Sequence, residues 1–146
     1  MTIPKRALRR AAAALAVGVV VLSASACGLV EQLFVGPNDA RWGHAADAEI
    51  GPDTIEFVAM VTETVCASGR SSEGRIIGPD IAYTDEAVTI TFAVRPLGGG
   101  AQDCPGNPST PVMVRLDEPL GDRALLDGGT DPPREPPVCQ NPDFCD

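Results

Sequence analysis

A mainly β fold is predicted, a small antiparallel β-sandwich or β-sheet domain containing a hairpin. Apolar residues alternate with polar ones at a period of two between about residues 54 and 94, where the β-branched residues also concentrate. Aromatic residues are few, at 4 %, and 14 prolines and 15 glycines mark short segments separated by turns. Of five cysteines, one directly follows an apolar leader and four lie further on, which predicts a core stapled by disulfides in an oxidising compartment.

The elements follow in order. Ile55, Phe57, Ala59, Val61 and Val65 share one face of a strand running from Ile55 to Cys66, and Glu56, Thr62 and Thr64 share the other with Val58 and Met60. A helix competes for the middle of this run, but its threonines and valines favour the extended form. Ala67 to Gly74 reads as a flexible turn. Arg75 to Tyr83 is a strand broken by Gly78-Pro79, and Ala87 to Arg95 is the clearest strand of the chain, with Val88, Ile90, Phe92 and Val94 alternating with Thr89, Thr91 and Ala93. Thr84-Asp85-Glu86 joins these two as a hairpin. Pro96 and Gly98-Gly99-Gly100 end the strand, because proline donates nothing to a ladder and glycine packs no side chain. A loop through Cys104-Pro105-Gly106-Asn107-Pro108 leads to a short strand over Val112–Leu116, and a turn from Asp117 to Asp122 leads to Arg123–Leu126. Beyond Asp127, Gly128-Gly129 and five prolines leave little to bury, so residues 131–146 are expected to be an extended or disordered tail except where cysteines pin it.

Ahead of the domain, Lys5, Arg6, Arg9 and Arg10 precede an uncharged run from Ala11 to Ala26. As a helix that run is about 24 Å long, short of the roughly 30 Å hydrocarbon core, so a cleaved signal helix is expected over residues 1–26 and not a permanent span. Leu22-Ser23-Ala24-Ser25-Ala26-Cys27 resembles the cleavage and lipidation box of a bacterial prolipoprotein. The resemblance implies that Cys27 becomes a diacylglyceryl-modified N-terminus and anchors the chain to the outer face of the cell membrane. Ala24 replaces the commoner leucine of that box. Arg9-Arg10 also resembles a twin-arginine export signal, although the flanking residues of that motif are missing. Residues 27–51, with an apolar patch at Leu29, Val30, Leu33, Phe34 and Val35, read as a membrane tether, and residues 52–130 as the β domain.

Loss of residues 1–26 removes four of the 11 basic residues and no acid, leaving 20 acids against seven arginines, a net of −13. Such a surface repels nucleic acid and anionic headgroups, so membrane contact falls to the acyl chains on Cys27, and the partners expected are an envelope protein or the cell wall. Cys66, Cys104, Cys139 and Cys145 allow three pairings that the sequence alone does not decide; Cys66 with Cys104 and Cys139 with Cys145 is preferred. A metal site made of cysteines is disfavoured by their wide spacing, and no cofactor motif is present.

Features of an enzyme are sparse. His44, in the expected tether, is the one histidine, so no nucleophile has a well-placed base. Paired carboxylates such as Glu118 and Asp122 would serve a hydrolase, and Asp117, Glu118, Asp122, Asp127 and Asp131 would offer oxygens to calcium, but Pro119, Leu120 and Leu126 interrupt a calcium loop pattern. The leading expectation is a binding or structural module with no catalytic residues. Its contact surfaces are expected at Gly98, Gly99, Gly100 and Asn107 in one loop and at Asp117, Glu118, Asp122 and Arg123 in another.

Cys66-Ala67-Ser68-Gly69, the run from Gln102 to Val112 and the run from Leu116 to Arg123 together resemble a pattern that recurs in small exported proteins and lipoproteins of actinobacteria. The resemblance covers roughly residues 54–130. It implies an envelope location and a bond between Cys66 and Cys104, and brings neither an activity nor catalytic residues.

Overall fold

The computed structural model describes residues 36–141 and 143–145. The expected signal, Cys27 and the apolar patch at 29–35 lie outside the described residues. Seven strands and, among the described residues, no helix make up the fold: β1 (Asn38–Ala45), β2 (Glu56–Glu63), β3 (Ile76–Tyr83), β4 (Ala87–Val94), β5 (Thr110–Arg115), β6 (Ala124–Asp127) and β7 (Val138–Cys139). They form a curled, mostly antiparallel sheet in the order β3-β4-β1-β2-β5.

The curl originates at one seam. β4 and β1 pair only through Asn38 with Val94 and Asp39 with Ala93, then diverge. On the β4 side β6 fills the opened edge in parallel, from Ala87 with Ala124 to Ile90 with Asp127. On the β1 side β7 does the same, through His44 with Val138 and Ala45 with Cys139. The sheet thereby folds over a single apolar interior in which Trp42, Val61, Val88, Ile90, Phe92, Val94 and Val114 are fully buried. The period of two in the sequence accounts for this interior: alternate residues of β4 are buried, and Phe57, Ala59, Val61 and Glu63 of β2 turn inward together. Trp42 packs on Phe57 with ring centroids 5.7 Å apart and donates its indole N–H to Ile90 O at 2.9 Å, which ties β1 across the seam to β4.

The hairpin between β3 and β4 forms as expected, with Thr84 N–H donating to Ala87 O at 2.8 Å and a register shift between Ile77 and Asp80 around Gly78-Pro79. β2 is shorter than its apolar pattern predicts. It runs only from Glu56 to Glu63, so Ile55 before it and Val65 after it, expected on the core face, are 52 % and 44 % exposed.

Two boundaries differ from the sequence reading. Residues 38–45, assigned to the tether, form the strand at the centre of the sheet and carry Trp42, its largest buried side chain. Asn-Asp-Ala-Arg-Trp-Gly-His-Ala has no β-branched residue, so its conformation is imposed by pairing on both edges and not by local propensity. The tail is also part of the domain. Cys139 and Cys145 are disulfide-bonded and buried with Met60 on the outer face of β1 and β2. Gly43 is what admits them: a Cβ there would fall on Cys145 Sγ and lie 2.5 Å from Pro137 O and 2.8 Å from Cys139 Sγ.

Candidate functional site

The outer face of β1 and β2 carries the floor of a cleft of about 550 Å³. Arg41 and Thr62, cross-strand partners, stand there with Thr64. One wall is the loop around Val65, Cys66, Cys104, Gly106 and Asn107; the other is the segment bearing Asp127, Thr130, Arg134, Glu135 and Pro137, with Cys145 beside it. Both disulfides therefore border the same space, Cys66–Cys104 closing a separation of 38 residues and Cys139–Cys145 one of six. The first wall, pinned by Cys66–Cys104, loses little freedom when a ligand enters.

The first wall is held by one amide. Asn107 donates Nδ2 to Glu63 O at 2.9 Å and to Val65 O at 2.6 Å, and its Oδ1 accepts from Ala67 N–H at 3.2 Å. Ser68 N–H donates to Asp103 O at 2.9 Å alongside it. Thus Asn107, expected to contact a ligand, borders the cleft but spends its amide on shaping the wall. The second wall is organised by Asp127. Its main chain exchanges hydrogen bonds with Arg134, while its buried carboxylate accepts from Gly129 N–H at 2.9 Å and from Trp42 N–H at 3.4 Å. The carboxylate thereby occupies the gap where β4 leaves β1, and Gly129 passes so close to β1 that a Cβ would strike Ala40 O.

Burial of Asp127 removes water from its charged form and raises its pKa above the ordinary 3.8; hydrogen bonds from Gly129 and Trp42 and the charge of Arg41 oppose the shift without cancelling it. The unfolded chain releases this proton at the ordinary value and the native chain at a higher one. The native state therefore binds more protons in that interval, and the stabilisation is complete below pH 3.8 and is lost as pH rises through the native value. Asp127→Asn removes the titration. The difference in unfolding free energy, wild type minus variant, is expected to fall as pH rises above 3.8, measured by urea unfolding; a difference that stays flat or rises refutes this assignment.

The remaining expected residues lie elsewhere. Gly98, Gly99 and Gly100 are exposed, with Gly99 O and Gly100 O accepting from Gln102 Nε2 at 3.2 and 3.3 Å, and they do not border the cleft. Nor do Asp117, Glu118, Asp122 and Arg123. Arg123 donates to Leu120 O at 2.9 Å, Pro119 O at 2.6 Å and Glu118 Oε1 at 2.6 Å, and lies over the Tyr83 ring at 5.5 Å, so it closes its own turn. Glu118 is therefore committed to an ion pair on an exposed turn and does not face Asp122 across a pocket. Among the described residues no three His, Cys, Asp or Glu side chains converge as a metal site.

Arg41, Thr62, Thr130 and Arg134 were not legible as site residues. Arg41 lies in the segment read as a tether, Thr130 at the last position of the expected domain and Arg134 in the expected tail, and only the return of the C-terminus to β1 brings them together. No protein-family model, curated protein or solved structure matches the chain.

Proposed function

We propose that the chain is a lipid-anchored module on the outer face of a bacterial cell membrane, which binds a small ligand in the cleft and performs no chemistry on it. The cleft itself carries the reading: a space of about 550 Å³ bordered by both disulfides falls in the size range of small-molecule sites and is largely preformed. Two disulfides are consistent with an oxidising, extracytoplasmic compartment, and among the described residues no helix is long and apolar enough to cross a membrane. The box ending at Cys27 supplies the anchor, since two or three acyl chains hold stably where one is marginal. The acidic surface supports a partner other than nucleic acid.

The test is the full chain expressed in a bacterial host with labelled fatty acid. Wild type is expected to carry label in the membrane fraction and Cys27→Ser to lose it and become soluble; a labelled, membrane-bound variant overturns the anchor. The Cys27→Ser chain is then screened by ligand-observed NMR against a panel of small acids, amino acids, sugars and peptides, with spectra followed for a day. Binding without turnover is expected. Product formation that disappears in Glu118→Gln or Asp127→Asn, with the fold preserved, overturns the non-enzymatic reading.

A further inference from the structure

The arginines after Cys27 divide sharply by what their guanidinium groups do. Five are engaged: Arg70 with Gln102, Arg75 with Glu63, Arg95 with Gly74 O, Arg115 with Glu56 and Arg123 with Glu118. Arg41 and Arg134 have no side-chain partner among the described residues, and both border the cleft. Exposure to water alone would explain a partnerless arginine. It does not explain why both fall on the same cavity in a chain of net charge −13 after the signal, where every other cation is committed.

The carboxylates of the cleft decide the charge of what fits. Glu63 is held by Arg75 and Asn38, and Asp127 by the two N–H groups at the seam. Glu135 is left as the one carboxylate of the lining with no partner among the described residues, against two such guanidiniums. The charges of Arg41 and Arg134 are matched by those of Glu135 and Asp127, so the lining has no net surplus and disfavours a ligand of more than one negative charge. Val65 on one wall and Pro137 on the other offer apolar surface, and the hydroxyls of Thr62, Thr64 and Thr130 offer acceptors.

We propose that Arg41 and Arg134 form a clamp for the carboxylate of a small monoanionic ligand whose apolar part lies against Val65 and Pro137. The inference rests on the cleft being a ligand site. Guanidinium and carboxylate match as planar, charge-assisted hydrogen-bonding groups, which is why arginine and not a spread positive field selects this chemistry.

The test uses the purified Cys27→Ser chain, titrated by protein-observed NMR with benzoate, its neutral isostere benzamide, and inorganic phosphate. Benzoate is expected to shift resonances of Arg41, Thr62, Val65 and Arg134 and to bind at least about tenfold tighter than benzamide, since one charge-assisted hydrogen bond is of that order. Arg41→Gln and Arg134→Gln, both at exposed side chains, should each weaken benzoate about tenfold and leave benzamide unchanged. Equal binding of benzoate and benzamide, or undiminished benzoate binding in the double variant, overturns the clamp. Tighter phosphate than benzoate overturns the carboxylate class. Neutral compounds binding in the cleft without benzoate would sink the clamp and leave the cleft reading standing; no small molecule shifting any cleft resonance sinks both.

Discussion

Replacing Arg75 by methionine is expected to cost about 3–5 kcal/mol of unfolding free energy, because it strands a buried carboxylate. Glu63 has a side-chain exposure of 1 % and Arg75 of 16 %. Arg75 Nη2 donates to Glu63 Oε2 at 2.6 Å and Nη1 to Oε1 at 3.3 Å, while Asn38 Nδ2 donates to the same Oε1 at 2.7 Å. The guanidinium also donates to Arg95 O at 2.7 Å and Ser71 O at 3.3 Å. One residue thus joins the end of β2, the turn before β3 and the end of β4, across the place where the sheet folds over. Methionine fills most of the volume, so the loss reports the charge and not a cavity. Adding Glu63→Gln to Arg75→Met should recover a large part of it, since removing both charges of a buried pair is far cheaper than removing one. Urea unfolding followed by the fluorescence of Trp42, the single tryptophan, measures both variants. A loss below about 1 kcal/mol in the single variant, the range of an exposed pair, would show that water reaches Glu63.

Loss of the Cys66–Cys104 bond is expected to cost about 4 kcal/mol, within a general range of about 2–5. The bond spans 38 residues, including the β3–β4 hairpin, so its removal frees a long loop in the unfolded chain. Both cysteines are exposed, so little packing is lost with them, and the effect is expected to appear mainly through the unfolded state. For a domain whose whole stability is about 5–15 kcal/mol this is a large fraction. The Cys66→Ala/Cys104→Ala double variant, compared with wild type by urea unfolding, gives the magnitude, and non-reducing peptide mapping gives the pairing. A loss under about 1 kcal/mol would mean that the bonds made by Asn107 and Ser68 already hold the wall without the staple. Cys66 joined to Cys139 or Cys145 would refute the pairing itself.

What the sequence by itself determined is the part of the fold governed by local pattern. β4 reads directly from its alternation, the hairpin from the three residues between Tyr83 and Ala87, and the strand ends from Pro96 and the glycines that follow. A period of two needs no knowledge of the neighbour, because a strand with one apolar face must turn it inward wherever it pairs. What only the tertiary structure decided is the part in which the neighbour supplies the reason. β1 has the composition of a linker and becomes the central strand because β2 and β7 pair with it and Asp127 receives its Trp42 N–H. Gly43 reads as a loop glycine and is a contact surface for a disulfide from the far end of the chain. The preferred cysteine pairing was one of three that spacing allowed, and the fold chose among them by bringing Cα atoms to 4.7 and 4.8 Å. The cleft follows the same rule. Arg41 and Arg134 are 93 residues apart, and nothing local in either segment carries the information that they border one cleft; that information resides in the pairing of β7 with β1, which exists only once the chain has closed on itself.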